Sequence, residues 1–241
     1  MQSKERIIAG KTMRLETGRI ARQSNGSVLV TYGETTVLAA VNASKEPRED
    51  LDFFPLQVEY REKHYAGGKI PGGFFKREAR PGEHEVLTSR VTDRPIRPLF
   101  PKGFKNETQV MITVLQSDGE NNPDVLAGVG ASAALMASTI PWNGPIASVR
   151  VGRVGGAYVV NPTRTELEDS DMEMVVSGNS ETIVMVEGEA DCISETEILD
   201  ALKQAHTVIK EIIELQNELV STLDVVKDEF VIPEPDEDLV S

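Results

Sequence analysis

Cysteine is almost absent from this chain: Cys192 stands alone among 241 residues, which excludes any internal disulfide and suits a reducing compartment. Histidine is nearly as scarce. His64, His84 and His206 lie far apart, so no His/Cys zinc motif can be assembled from neighbouring positions. No apolar run approaches the roughly 18 residues needed to span a bilayer. The opening "MQSKERIIAGKTMRLE" lacks the apolar stretch of a signal peptide. The expectation is therefore a cytoplasmic protein with no membrane partner. Motifs of common catalysis are missing too. There is no Gly-x-Ser-x-Gly elbow and no paired Cys and His, and Gly152, Gly155 and Gly156 are not followed by the Lys-Ser/Thr of a phosphate loop.

What the chain does have is enough apolar residue, 39%, for a sizeable core, and an uneven distribution of charge. The net charge of −14 hides a split: residues 1–105 hold 19 Lys/Arg against 13 Asp/Glu, whereas 106–241 hold 6 against 26. Within residues 60–105 alone there are 11 basic and 5 acidic side chains. A local basic surface on an acidic body points to an anionic partner rather than to uniform solvation.

The order of elements is mostly strands. "SVLVTYGETTVLAAVNAS" (27–44) predicts a hairpin around Gly33, and "LDFFPLQVEYRE" (51–62) ends as a strand, with Pro55 suiting its start or an edge. Residues 66–83 contain seven glycines and prolines, which predicts a long irregular loop of the kind that usually carries function. "EHEVLTSRVTD" (83–93) is helix-compatible, with Pro95 and Pro98 expected to end it. Residues 108–117 read as a buried strand. A close-packing helix follows over 121–139, capped by Asn122 with Pro123 in its first position. Residues 147–162 form a hairpin turned at Gly155-Gly156, and 172–178 and 182–188 another strand pair. Ser194 and Glu197 have capping-box spacing at the head of a helix over about 195–224, with Ile198, Leu202, Ala205, Ile209 and Ile212 on one face. The Pro-acidic tail reads as linker. The fold class is α+β with mixed, mostly antiparallel sheets packed with helices.

The residues with most chemical potential lie in "IPGGFFKREARP" (70–81) and just after it. Phe74 and Phe75 could stack on unpaired bases, with Lys76, Arg77 and Arg80 on backbone phosphates. Equally, those rings could fill a core or a subunit interface. Arg90 and Arg94 share a helical face, and Arg97 follows in a proline-fixed segment; three guanidiniums suit phosphate recognition, with ion pairing to Glu83, Glu85 or Asp93 as the competing reading. Asp169, Asp171 and Glu173 could hold a divalent metal, but a solvated strand end accounts for them better.

Residues 51–104, "LDFFPLQVEYREKHYAGGKIPGGFFKREARPGEHEVLTSRVTDRPIRPLFPKGF", closely resemble the bacterial polynucleotide phosphorylase family in its first RNase PH-like core. The flanks "LETGRIARQSNGSVLVTYGETTVLAAV" and "NPDVLAGVGASAALMASTIPWNGPIASVRVG" agree, so the likeness spans about 7–225. It implies an RNase PH-like fold (ribosomal protein S5 domain 2-like), with a core over 1–228 and an acidic linker over 229–241 leading towards a helical domain. It further implies phosphorolytic 3′→5′ degradation of single-stranded RNA, including mRNA, to nucleoside diphosphates, reversible as polymerisation. Inorganic phosphate would be co-substrate, Mg²⁺ the cofactor of the full-length enzyme, and the assembly a homotrimer with other RNA-degradation proteins as further partners. By the same likeness Phe74, Phe75, Lys76, Arg77 and Arg80 line a channel constriction that grips RNA, and Arg90, Arg94 and Arg97 belong to a basic segment that handles it.

The departures from that pattern are specific. The catalytic core of the family is its second, where a "G-S-S-S-M" turn cradles phosphate; here Asn122, Pro123 and Asp124 stand in its place. Pro123 has no N–H and Asp124 repels an anion. The family's "D-M-D-F-K" strand reads "DMEMV" here, with Glu173 for Asp and Val175 for Lys. No catalytic or metal-binding residue is therefore expected in this chain, which reads as an RNA-gripping piece of a larger enzyme. The other reading, a stand-alone RNase PH-type enzyme processing tRNA, lacks the phosphate-site serines and the lysine.

Overall fold

The computed structural model describes residues 1–48, 51–78 and 80–230. Two sheets carry the architecture. The larger runs in the order β1-β2-β3-β4-β6-β5, from β1 (Gln2–Ile8), β2 (Lys11–Thr17), β3 (Gly26–Tyr32), β4 (Thr35–Pro47), β5 (Leu56–Glu62) and β6 (Asn106–Gln116). Every pairing in it is antiparallel except β5 with β6. The smaller sheet is antiparallel throughout, in the order β10-β9-β7-β8, from β7 (Ala147–Val154), β8 (Ala157–Val160), β9 (Ser170–Gly178) and β10 (Ile183–Ala190). The α+β expectation holds.

Helix α1 (Glu83–Ile96) joins the parallel pair β5 and β6, α2 (Pro123–Met136) leads from one sheet to the other, α3 (Arg164–Glu168) is a single turn, and α4 (Glu195–Val220) is the long terminal helix. In α2, twelve of fourteen residues are buried, so it is the central element: it lies against β3 and β4 on one side and β7 on the other. Small residues permit this. A side chain at Gly26 would run into the carbonyl of Ala134, and one at Gly128 into Ser148. A buried polar knot ties α2, α4 and the start of β7. Ser132 Oγ donates to Gln216 Oε1 at 2.7 Å, the Ile146 amide donates to Ser132 Oγ at 3.0 Å, and Gln216 Nε2 donates to the Ile146 carbonyl at 2.8 Å. No buried group in that knot is left unpaired, which is what makes it stabilising.

Three expectations need correction. Helix α1 runs through Pro95 to Ile96 rather than stopping near 93. A proline in the last turn forfeits one hydrogen bond, and its ring is buried, as is Ile96. Asn122 occupies the N-cap position of α2 without capping it, because its Oδ1 accepts Arg164 Nε at 3.3 Å instead. Helix α4 ends at Val220, not near 224. Ser221 and Thr222 hydroxyls take the carbonyls of Glu218 and Leu219, which closes the last turn. Capping by Ser194 and Glu197 is as expected. After α4 the chain turns back over the C-terminal end of α2. Lys227 Nζ donates to the carbonyls of Leu135 and Ser138 at 2.7 and 2.9 Å, and Phe230 sits edge-on to Phe104 at 5.4 Å. The boundary expected at 228 falls inside this strap, and residues 231–241 of the expected linker lie outside the described residues.

Candidate nucleic-acid interface

Two regions hold the residues singled out from the sequence. The first is the loop between β5 and α1. A 3₁₀ turn (His64–Gly67) follows β5, and beyond it the chain is irregular as far as Gly82. Gly73 and Lys76 both adopt positive φ, +75° and +50°, so the chain turns sharply and projects the two residues between them. Phe74 is 94% exposed and Phe75 81%. Their rings meet edge-to-face with centroids 5.4 Å apart, and they touch neither core cluster nor other aromatic ring. By contrast Phe54, Phe100, Phe104 and Trp142 pack together inside. Lys76, Arg77 and Arg80 are exposed beside the pair, with no hydrogen bond or ion pair to any described residue. Exposed rings next to unpaired cations on a turned backbone can stack on bases and neutralise phosphates at once.

The second set of basic residues is on α1 and divides. Arg90 is exposed and makes no ion pair with any described residue. Arg94 is exposed but pairs with Glu187 of β10 at 2.5 Å. Arg97 is committed to the fold: its guanidinium holds Asp93 in a fork at 2.8 and 3.0 Å and donates to the carbonyls of Phe54 and Leu56 at 3.2 and 3.1 Å. Four of its five N–H donors are thus engaged within the fold, as the ion-pair alternative with Asp93 describes.

The chemistry of α2's N-terminus is equally clear. Asp124 lies in the first turn, where a helix end would otherwise favour a bound anion, and Arg150 from β7 closes on it. The same guanidinium holds Glu173 from β9, and its side chain is only 11% exposed. His84 on α1 and Thr88 line the adjoining cleft of about 480 Å³. Arg150 is thus held by two carboxylates at the edge of this cleft, although its buried Nε has no partner among the described residues. Asp171 chelates Arg153 at 2.6–3.1 Å, an interaction that lowers the Asp171 pKa and raises that of Arg153. Asp169 merely ends α3. Asp171 and Glu173, each held by an arginine, do not form a donor set fit for Mg²⁺, and the described residues contain no group of three or more His, Cys, Asp or Glu arranged to hold a metal.

Sequence reasoning missed Arg150, Lys63, His64 and Glu78. A lone arginine in "SVRVG" was the available signal for the first, since a charge inside a buried strand demands a partner. The other three carried no signal, because their link spans 15 positions through an irregular loop.

Two family models cover most of the chain: the 3′ exoribonuclease family, domain 1, over residues 9–141, and domain 2 of the same family over 144–208. This chain belongs to the 3′ exoribonuclease family. Among curated relatives, a polyribonucleotide nucleotidyltransferase of Thermomicrobium roseum is 54% identical over 232 residues, covering 96% of this chain and 29% of the relative. Those of Thermus thermophilus and Geotalea uraniireducens are 54% and 50% identical, covering 91% and 99% of this chain and 31% and 34% of theirs. The chain thus spans about a third of the length of these relatives. A solved structure of the Archaeoglobus fulgidus exosome with RNA bound to the active site shares the exoribonuclease-family fold, with TM-score 0.64 at 22% identity over 83% of this chain and 87% of that one. Both the RNase PH-like fold and the resemblance to polynucleotide phosphorylase stand on these matches. Among the described residues, no helix is long and apolar enough to cross a membrane.

Proposed function

We propose that this chain is the first, RNA-gripping core of a phosphorolytic 3′→5′ exoribonuclease. In that reaction an oxygen of inorganic phosphate attacks the phosphorus of the last phosphodiester. The bond to the 3′ oxygen of the penultimate nucleotide breaks, a nucleoside diphosphate leaves, and the shortened RNA keeps a free 3′ hydroxyl. The observation that carries the reading is the exposed pair Phe74 and Phe75 with Lys76, Arg77 and Arg80 beside it. The relatives' names supply the reaction class, and the loop supplies a means of holding single-stranded substrate.

The chemistry belongs elsewhere in the larger protein. Asp124 stands where a phosphate ligand is needed, and the mostly buried Arg150 beside it is already held by Asp124 and Glu173. Mg²⁺ would be bound by the second core, not by these residues. A cytoplasmic homotrimer, in which three such loops line one channel, suits the gripping role, with other RNA-degradation proteins as partners. A stand-alone phosphorolytic tRNA-processing enzyme is not favoured, for the same reason that the α2 N-terminus is filled by carboxylate.

Incubation of the purified chain with oligoadenylate, inorganic phosphate and Mg²⁺ tests this directly. The expected result is RNA binding without phosphate-dependent release of ADP. Release dependent on phosphate, and lost on replacing Arg150, would place the chemistry in this chain.

A further inference from the structure

The stretch 70–81 that carries the aromatic pair is almost unattached. Among its described residues, only Glu78 makes a hydrogen bond or ion pair to the rest of the protein. Glu78 Oε2 accepts from Lys63 Nζ at 2.6 Å, and Oε1 accepts from the His64 backbone amide at 2.9 Å, with His64 Nδ1 at 3.6 Å. Both partners lie at the end of β5 and the start of the 3₁₀ turn, which itself is bonded to the larger sheet through the Ser117 amide and the Ala66 carbonyl at 3.0 Å. So the carboxylate ties a projecting loop to a rigid base at one point. Lys63, through its hydrogen bond, and then the His64 amide hold the Glu78 carboxyl below its usual range. No core contact substitutes for this tie, because Ile70, Phe74 and Phe75 are all exposed.

We propose that Glu78 is the positioning residue of the RNA grip: it touches no RNA, and it holds Phe74, Phe75 and their flanking cations in the projected arrangement before RNA arrives. The inference rests on the gripping role proposed above. Its physical basis is that a loop ordered in advance does not lose conformational freedom on binding, whereas a free loop must.

The sign of the effect separates positioning from electrostatics. Glu78 is an acidic residue among cations, so if only charge mattered, removing it would tighten RNA binding. Positioning requires the reverse. Fluorescence anisotropy of labelled oligoadenylate on the 241-residue chain provides the measurement. E78A is expected to weaken binding about 3–10-fold, the scale of releasing one or two side chains and the backbone that carries them. E78Q, which can still accept from the His64 amide, should fall between wild type and E78A. In the F74A/F75A background, E78A should produce a smaller further loss, because only the flanking cations Lys76, Arg77 and Arg80 remain to be positioned. An equal thermal midpoint for all variants verifies that the fold is intact. If F74A/F75A itself leaves binding unchanged, the gripping role fails. If F74A/F75A weakens binding while E78A leaves it unchanged or tightens it, the gripping role stands and the positioning role of Glu78 is overturned.

Discussion

At the scale of single residues, burial and pairing decide which of the basic side chains are free to meet an anion. Arg90 is exposed without a partner among the described residues, whereas Arg97 makes bonds to one carboxylate and two backbone carbonyls. The two should therefore separate on substitution. R90A should leave stability unchanged and flatten the salt dependence of RNA binding by about one phosphate contact. R97A should leave that slope alone and lower unfolding stability by about 1–3 kcal/mol, because the carbonyls of Phe54 and Leu56 and the Asp93 carboxylate lose their donor. Urea titration and binding at three salt concentrations distinguish these outcomes. This contrast also marks what a sequence can reveal. The spacing of Arg90 and Arg94 places them on one helical face from periodicity alone. That Arg97 turns inward depends on where β5 begins, which is tertiary information. The exposure of Phe74 and Phe75 was likewise undecided until the loop was seen to pass the core by; glycine and proline density announced a loop but not which way its rings face.

At the scale of elements, helix α1 does more than carry arginines. Strand β5 is an edge of the larger sheet, and α1 covers that edge with side chains: Ser89 Oγ accepts the Tyr60 amide at 3.0 Å and Glu85 Oε1 the Glu62 amide at 2.9 Å. An edge covered this way cannot template another strand. His84 Nε2 completes the junction on Glu62 at 3.2 Å. Their hydrogen bond raises His84 above its ordinary 6.5 and lowers Glu62 below its ordinary 4.5. The His84 contribution is complete below pH 6.5 and fades as pH rises through its raised value; the Glu62 contribution is present above pH 4.5 and fades as pH falls through its lowered value. The stability difference between wild type and H84A should accordingly be largest between those two values and shrink by pH 8.5. Denaturation midpoints at pH 5.5 and 8.5 give the comparison, and a difference that grew with pH would refute it. Helix α2 makes a second, steric prediction. G26A should destabilise by about 1–3 kcal/mol, since the added methyl meets the Ala134 carbonyl across a packed interface. The sequence showed α2 to be a close-packing helix through its small residues. It did not show that two sheets sandwich it, nor that the first hairpin, β1 and β2, exists: β1 is an edge strand whose polar, charged residues resemble a solvated segment.

At the scale of the whole molecule, the basic and acidic regions fall on different elements. The loop and α1 carry Lys76, Arg77, Arg80 and Arg90 without an ion pair among the described residues, while α4 is strongly acidic and spends Glu214 and Glu218 on Arg6 of β1. On the proposed role, an acidic body with a basic, aromatic projection would direct single-stranded RNA to that projection. At the N-terminus of α2, Asp124, Arg150 and Glu173 are paired with one another. Breaking that partly buried pairing by R150A should cost about 1–3 kcal/mol in stability, because two carboxylates lose their counter-ion, and should bring no phosphorolysis with it. That Asn122, Pro123 and Asp124 stand where the resemblance leads one to expect serines was visible in the sequence. The arginine that occupies the space was not, since its partners lie 26 and 23 positions away on other elements. The account as a whole depends on the aromatic pair. Its most direct test is the equilibrium affinity of single-stranded oligoadenylate for the wild-type chain and for F74A/F75A at one fixed salt concentration. Loss of stacking predicts at least about tenfold weaker binding by the variant, from roughly 1–3 kcal/mol per stacked base, with an unchanged melting temperature. Equal affinity for the two proteins would contradict the account.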